Sequence, residues 1–194
     1  IVGAGTMGHM LAQVFAQGGC NVWLNDVSAD ALGRARKQIS SSLDTLIDMQ
    51  VVEKNQKEAV LGRIKTTVSL DEAGSEADFV TEAITEDAAA KKALFSQLDK
   101  ICPPAAILAS NTSFLDIFKI VETARPDRVL ITHWFAPPHI VPLVEIVRGP
   151  RTSQQSVDTI KDLMLRLGKS PIVMTNFLPG FIGNRLQAAL GNEV

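Results

Sequence analysis

An imidazole and a carboxylate are the residues of this chain best placed to do chemistry. His133 closes the apolar run Arg128-Val-Leu-Ile-Thr-His133, and twelve residues later Glu145 interrupts a second run, Pro142-Leu-Val-Glu-Ile-Val147. A carboxylate in so apolar a strand is costly to desolvate unless a cation or an N–H donor pairs with it. A histidine held by such an acid has a fixed tautomer and can serve as a general base. A solvated edge-strand glutamate and a satisfied core histidine are the plainer alternatives for the two residues taken singly. A nucleotide motif elsewhere in the chain tips the pair toward catalysis.

That motif is Gly3-Ala-Gly5-Thr-Met-Gly8, followed by Met10, Leu11, Val14 and Phe15 at helical period. In G-x-G-x-x-G the first glycine permits a tight turn and the second lets backbone approach a pyrophosphate. The third brings helix and strand close, and the N–H groups of the helix start, at Thr6 and Met7, face the phosphates. The spacing alone is weak evidence, but Asn21-Val-Trp-Leu-Asn-Asp26 supplies a second strand ending in an acid, eighteen residues past Gly8. Asp26 would accept a hydrogen bond from a ribose 2′-hydroxyl and repel a 2′-phosphate, so NAD is expected rather than NADP. An acid at a helix N-terminus, before Ser28, is the lesser reading.

The elements that must carry these residues alternate. Helices are expected over 29–50, 52–63, 87–100 and 153–167, with strands at 66–69, 78–83, 106–110, 128–133, 143–147 and 171–174. Strand–helix alternation predicts an α/β fold, a doubly wound, mostly parallel sheet with helices on both faces. Ligands collect at the carboxyl ends of such strands, and Gly3 to Gly8, Asp26, Glu86, Ser110 to Ser113 and His133 all follow strand ends. Singly, Ser110, Asn111, Thr112 and Ser113 read as loop formers. The composition breaks at Thr175-Asn-Phe-Leu-Pro-Gly180, a hinge, which divides the chain into a dinucleotide-binding domain over 1–176 and the first helix, 177–194, of a further domain. The start just before the glycine turn and the stop within that helix lead us to expect a fragment.

Composition bounds the partners. At 194 residues and a net charge of −2, with no Tyr and no basic stretch interleaved with aromatics, the chain offers nothing to nucleic acid or to an anionic membrane. No run is long enough to span a bilayer. Cys20 and Cys102 sit in apolar contexts without metal-ligand spacing and read as reduced thiols of a cytoplasmic protein. No metal is expected. His9 and His139 have no partner in sequence and read as structural or solvated.

Taken together, Gly3 to Gly8, Asp26, Thr81-Glu-Ala-Ile-Thr-Glu86, Ser110-Asn-Thr-Ser113, His133-Trp-Phe…Pro142-Leu-Val-Glu145 and Pro179-Gly-Phe-Ile-Gly-Asn-Arg-Leu186 resemble the NAD-binding domain of the 3-hydroxyacyl-CoA dehydrogenase family over nearly the whole chain. The resemblance implies a Rossmann-type fold, His133 as base with Glu145 as its orienting acid, and Ser113 and Asn184 binding the substrate's reacting oxygens. It places Glu86 and Lys91 along the ribose and phosphate side of NAD. It also implies a second, all-helical domain that completes the cleft and makes a homodimer contact, and a role in fatty acid metabolism. Two positions depart from the family pattern: Ala136 stands where an Asn is usual, and 45–51 lacks the lysines that meet coenzyme A in acyl-CoA members, although Ser42 falls near a family serine. Because of Ser42, and because the resemblance implies CoA esters as the commonest substrates of the family, a short-chain 3-hydroxyacyl-CoA is the first substrate expectation. A small free 3-hydroxy acid, as in carnitine or gulonate dehydrogenases, is the second. A non-catalytic, crystallin-like protein of the same fold is the alternative from another class.

Overall fold

The structure, a computed structural model, describes residues 1–191. Helices α1 (Thr6–Gln17), α2 (Ala29–Asp48), α3 (Gln56–Gly62), α4 (Leu70–Gly74), α5 (Ala88–Ile101), α6 (Ile117–Ile120), α7 (Gln154–Arg166) and α8 (Gly183–Gly191) alternate with strands. The strands are β1 (Val22–Asn25), β2 (Ile64–Thr67), β3 (Phe79–Glu82), β4 (Ile107–Ser110), β5 (Val129–Trp134), β6 (Leu143–Arg148) and β7 (Ser170–Met174). Strands β3-β4-β5-β6-β7 form one ladder and β1-β2 another. Val2 joins them, bridging in parallel to Asn25 on one side and Glu82 on the other. The expected Rossmann-type, mostly parallel sheet is present.

Strands β5 and β6 are the exception, running antiparallel with His133 directly opposite Glu145. The connection 135–142 explains it, because a parallel crossover takes about a dozen residues or more. Both faces of the sheet are covered. Leu11, Val14 and Phe15 of α1, Leu32, Ile39 and Leu43 of α2, and Val157 and Ile160 of α7 close one side. Phe95 and Leu98 of α5, Ile117 of α6, and Phe181 close the other. Strands buried on both faces read as continuous apolar runs, and β4 and β5 are buried throughout.

Helix starts follow their caps. Ser28, Asp87 and Ser153 accept from the N–H groups of Ala31, Ala90 and Ser156 at 3.2, 2.7 and 3.1 Å. Where expectation and structure differ, a local conformation decides. Gln50, at φ 58°, ends α2, and residues 51–55 turn before α3 begins at Gln56. The strand expected at 66–69 lies at Ile64–Thr67, since Ser69 is taken as the cap of α4, accepting from Glu72 N. The last helix, expected from 177, starts at Gly183 because Gly180 and Phe181 are left-handed, at φ 77° and 50°.

Candidate active site

The glycine turn joins the central strand position to α1. Gly3 has φ +99°, and a Cβ there would meet the Ala83 carbonyl oxygen at 2.6 Å. A Cβ on Gly8 would collide with the Gly3 carbonyl, whereas one on Gly5 would meet nothing within 4 Å. Gly3 and Gly8 are thus demanded by the fold, and Gly5 faces open space. The first intrahelical donor is His9 N, bonded to Gly5 O, so the amides of Thr6, Met7 and Gly8 precede the helical ladder. Free N–H groups beside an uncrowded glycine fit a pyrophosphate.

Asp26 follows β1 and braces the turn. Its Oδ2 accepts from Ala4 N at 2.8 Å and its Oδ1 from Ser28 N at 2.9 Å. A carboxylate offers about four lone-pair sites, so each oxygen keeps capacity for a ribose hydroxyl.

The facing register of β5 and β6 brings His133 Nδ1 to 2.7 Å from Glu145 Oε2. The imidazole is 4% exposed and the carboxylate fully buried. An ionised carboxylate only accepts, so Nδ1 carries the proton and Nε2 is left with its lone pair. Nε2 faces Ser113 Oγ at 3.4 Å. The rings of Phe135 and Phe181 flank the imidazole, with centroids at 4.7 and 5.0 Å.

Ser113 is held from below. Glu86 Oε1 accepts from Ser113 N at 2.9 Å and Phe114 N at 3.1 Å, and from the Thr112 hydroxyl. Burial alone would push the Glu86 carboxyl up. The bonds from Thr112, Phe114 and Ser113 and the attraction of Lys91 outweigh it and hold the group below its ordinary value. Lys91, 1% exposed, lies between Glu86 Oε2 at 3.2 Å and Glu82 Oε1 at 2.6 Å. Glu82 also accepts from Ser110 Oγ at 2.5 Å and Ile84 N at 2.8 Å. Asn111 Oδ1 accepts from Trp134 N at 3.0 Å, tying the serine loop to the His133 strand.

Of the sequence-derived residues, His133, Glu145 and Ser113 therefore converge, and Glu86 and Lys91 support the loop that carries Ser113. Asn184 lies half-buried in the first turn of α8, beside the Gly183 amide that donates to Glu145 at 2.8 Å. Sequence reasoning missed Glu82, a buried acid at the end of an apolar strand with a lysine nine residues on. It also missed the contact of Glu145 with the turn before α8. His9 Nδ1 bonds Gly5 O at 2.8 Å, while His139 Nδ1 is buried without a partner. Burial lowers the His139 imidazole, and Lys169 and His9 add to the effect. A cavity of about 510 Å³ lies at the amino ends of β1 and β3, lined by Trp23, Phe79 and Arg166 among others. It is remote from the carboxyl-end constellation, where sheets of this kind bind ligands. Among the described residues no group of three or more His, Cys, Asp or Glu could hold a metal, and no helix is long and apolar enough to cross a membrane.

A turn shaped for a pyrophosphate and a tautomer-fixed base on the same sheet suit hydride transfer coupled to removal of a hydroxyl proton. That places the chain among nicotinamide-dependent oxidoreductases. The chain belongs to the 3-hydroxyacyl-CoA dehydrogenase family, whose NAD-binding domain matches residues 1–177, and NAD is its cofactor. It is 38% identical over 194 residues to a probable 3-hydroxybutyryl-CoA dehydrogenase of Bacillus subtilis, covering all of this chain and 67% of that protein. It is 36% identical to the L-carnitine dehydrogenase of Streptomyces coelicolor, covering all of this chain and 58% of that one. The crystal structure of (S)-3-hydroxybutyryl-CoA dehydrogenase from Ralstonia eutropha superposes with a TM-score of 0.93 at 39% identity, over 99% of this chain and 68% of that one. The chain thus spans only part of the length of each.

Proposed function

We propose that this chain is the cofactor- and base-bearing part of an enzyme that oxidises the 3-hydroxyl of a short 3-hydroxyacyl-CoA to the 3-oxo thioester. The observation that carries the reading is the buried His133–Glu145 pair with Nε2 free on the Ser113 side. Bound NAD would supply a hydride acceptor. His133 Nε2 takes the hydroxyl proton, Glu145 stabilises the imidazolium that forms, and Ser113 and Asn184 orient the reacting oxygen. Gly3, Gly5, Thr6, Met7, Gly8 and Asp26 hold the cofactor, and Lys91 acts on its ribose side through Glu86. A homodimer formed through a further helical domain fits the exposed Ile182, Leu186 and Leu190, which recur at one face of the chain entering and forming α8.

A small free 3-hydroxy acid is the second reading, favoured by the cations near α2. Lys57 is paired with Asp44 at 2.6 Å, and 45–51 holds no lysine for a coenzyme A phosphate. Ala136, exposed on the loop after β5, stands where acyl-CoA and free-acid relatives alike carry an Asn, and so favours neither substrate. The test is kcat/KM on intact protein for 3-hydroxybutyryl-CoA against 3-hydroxybutyrate, carnitine and gulonate. The thioester should be the best substrate. A free acid turned over better would reverse the ranking, and no turnover of any would remove the catalytic reading.

A further inference from the structure

Glu145 does not meet His133 alone. Its Oε2 faces the imidazole, while its Oε1 accepts from the backbone N–H groups of Ile182 and Gly183, each at 2.8 Å. The carboxylate has no exposure, so these donors rather than water decide how it lies. An unusual turn aims them. Gly180 and Phe181 are both left-handed, at φ 77° and 50°, a conformation an aromatic residue rarely adopts. The Phe181 ring is fully buried against His133 and against Phe177, 5.8 Å away. Ring packing holds the strained backbone, and the backbone points two N–H groups at one oxygen.

We propose that the turn 179–183 is a positioning element for the base: its two N–H donors demand an acceptor at Oε1, so that only a side chain accepting at both ends, a carboxylate, can meet the turn and still receive Nδ1–H of His133. Only the kinetic consequence rests on the dehydrogenase reading. The tautomer can be observed without any substrate.

A carboxylate accepts at both ends, so this demand is hidden in the natural protein. Glu145→Gln exposes it. The carboxamide oxygen must take the place before the two amides, because an NH₂ group there, at a side chain with no exposure, would face two donors and find no acceptor. The NH₂ group then faces His133 and donates to Nδ1. The imidazole must answer with a lone pair at Nδ1 and its proton at Nε2, and Nε2 can no longer receive a proton. If the turn exerted no such demand, the glutamine would rotate its oxygen toward Nδ1–H and the tautomer would persist.

Ring-nitrogen ¹⁵N NMR on neutral imidazole reads this directly. The chain has only three histidines, so single His→Gln variants assign the signals. The natural protein should show His133 protonated at Nδ1, and Glu145→Gln should show it protonated at Nε2. Turnover should fall about 10²–10⁴-fold, the usual loss with a general base, while NADH affinity holds. Retention of the Nδ1–H tautomer in Glu145→Gln overturns the proposal. Amide exchange in the unaltered protein is a second check: Ile182 and Gly183 should be protected relative to the exposed residues of α8, and exchange as fast as theirs overturns it too. A protein inactive on every hydroxy substrate would sink the functional reading and leave the tautomer result to stand or fall by itself.

Discussion

Replacing Lys91 with methionine keeps most of the length of the side chain and removes its charge from between two acids. Lys91 is 1% exposed and Glu82 not at all, 2.6 Å apart. Losing one partner of a buried pair costs about 3–5 kcal/mol, because the other charge is left uncompensated. Glu82 keeps Ser110 Oγ and Ile84 N, which argues for the lower end, about 3 kcal/mol. The second contact, to Glu86, is 38% exposed on the carboxylate side and adds little. In a protein of this size each kcal/mol moves Tm by about 2–4 °C, so Lys91→Met should melt about 6–12 °C lower. Circular dichroism at neutral pH measures it, and Glu82→Gln/Lys91→Met should recover much of the loss by removing the stranded charge. A single variant within about 2 °C of the unaltered protein, or a double variant worse than the single one, would refute the buried-pair account.

Asp26→Ser should weaken NAD binding and relax discrimination against NADP, measured by titration with both reduced cofactors; an unaltered protein that prefers NADPH would remove Asp26 from the ribose. Glu86 and Asp99 are both held below their ordinary values. For each, burial opposes and hydrogen bonds prevail, from Ala124, Thr123 and Arg125 at Asp99. Their contribution to stability is therefore full above the ordinary carboxylate range, about pH 4, and is lost as pH falls through the folded values. Tm should drop steeply on that side and less so in Asp99→Asn, and a flat acid limb would contradict it. The 194-residue chain should self-associate through Ile182, Leu186 and Leu190, 38%, 60% and 71% exposed. Leu186→Glu should raise its monomer fraction in sedimentation, and an unaltered chain that is monomeric at high concentration would count against this.

What could be read from the sequence depended on whether residue type and spacing alone encode it. Gly3, Gly5 and Gly8 and the acid at 26 did, because a glycine turn leading into a helix constrains both. His133 and Glu145 stood out because each interrupts an apolar run. Their pairing was expected from residue type and resemblance, but the register that makes it was not legible: it follows from the antiparallel direction of β6, set by the length of 135–142 rather than by any residue. Glu82 looked like one more acid at a strand end, and only the folded α5 shows that Lys91 comes back to it. The left-handed Phe181 was invisible as well, since its conformation is imposed by burial of its ring and not by its own propensity. Strand β2 was misplaced by two residues because Ser69, a helix cap, reads equally well as the end of a strand.

Whether His133 acts at the substrate or at the cofactor is separated most directly by one comparison. His133→Gln and the unaltered intact protein are compared for turnover of 3-hydroxybutyryl-CoA and for NADH affinity by fluorescence titration. Turnover should fall about 10²–10⁴-fold with NADH affinity nearly unchanged. Activity within a few-fold of the unaltered protein, or a loss that follows weakened NADH binding, would contradict the assignment of His133 as the base.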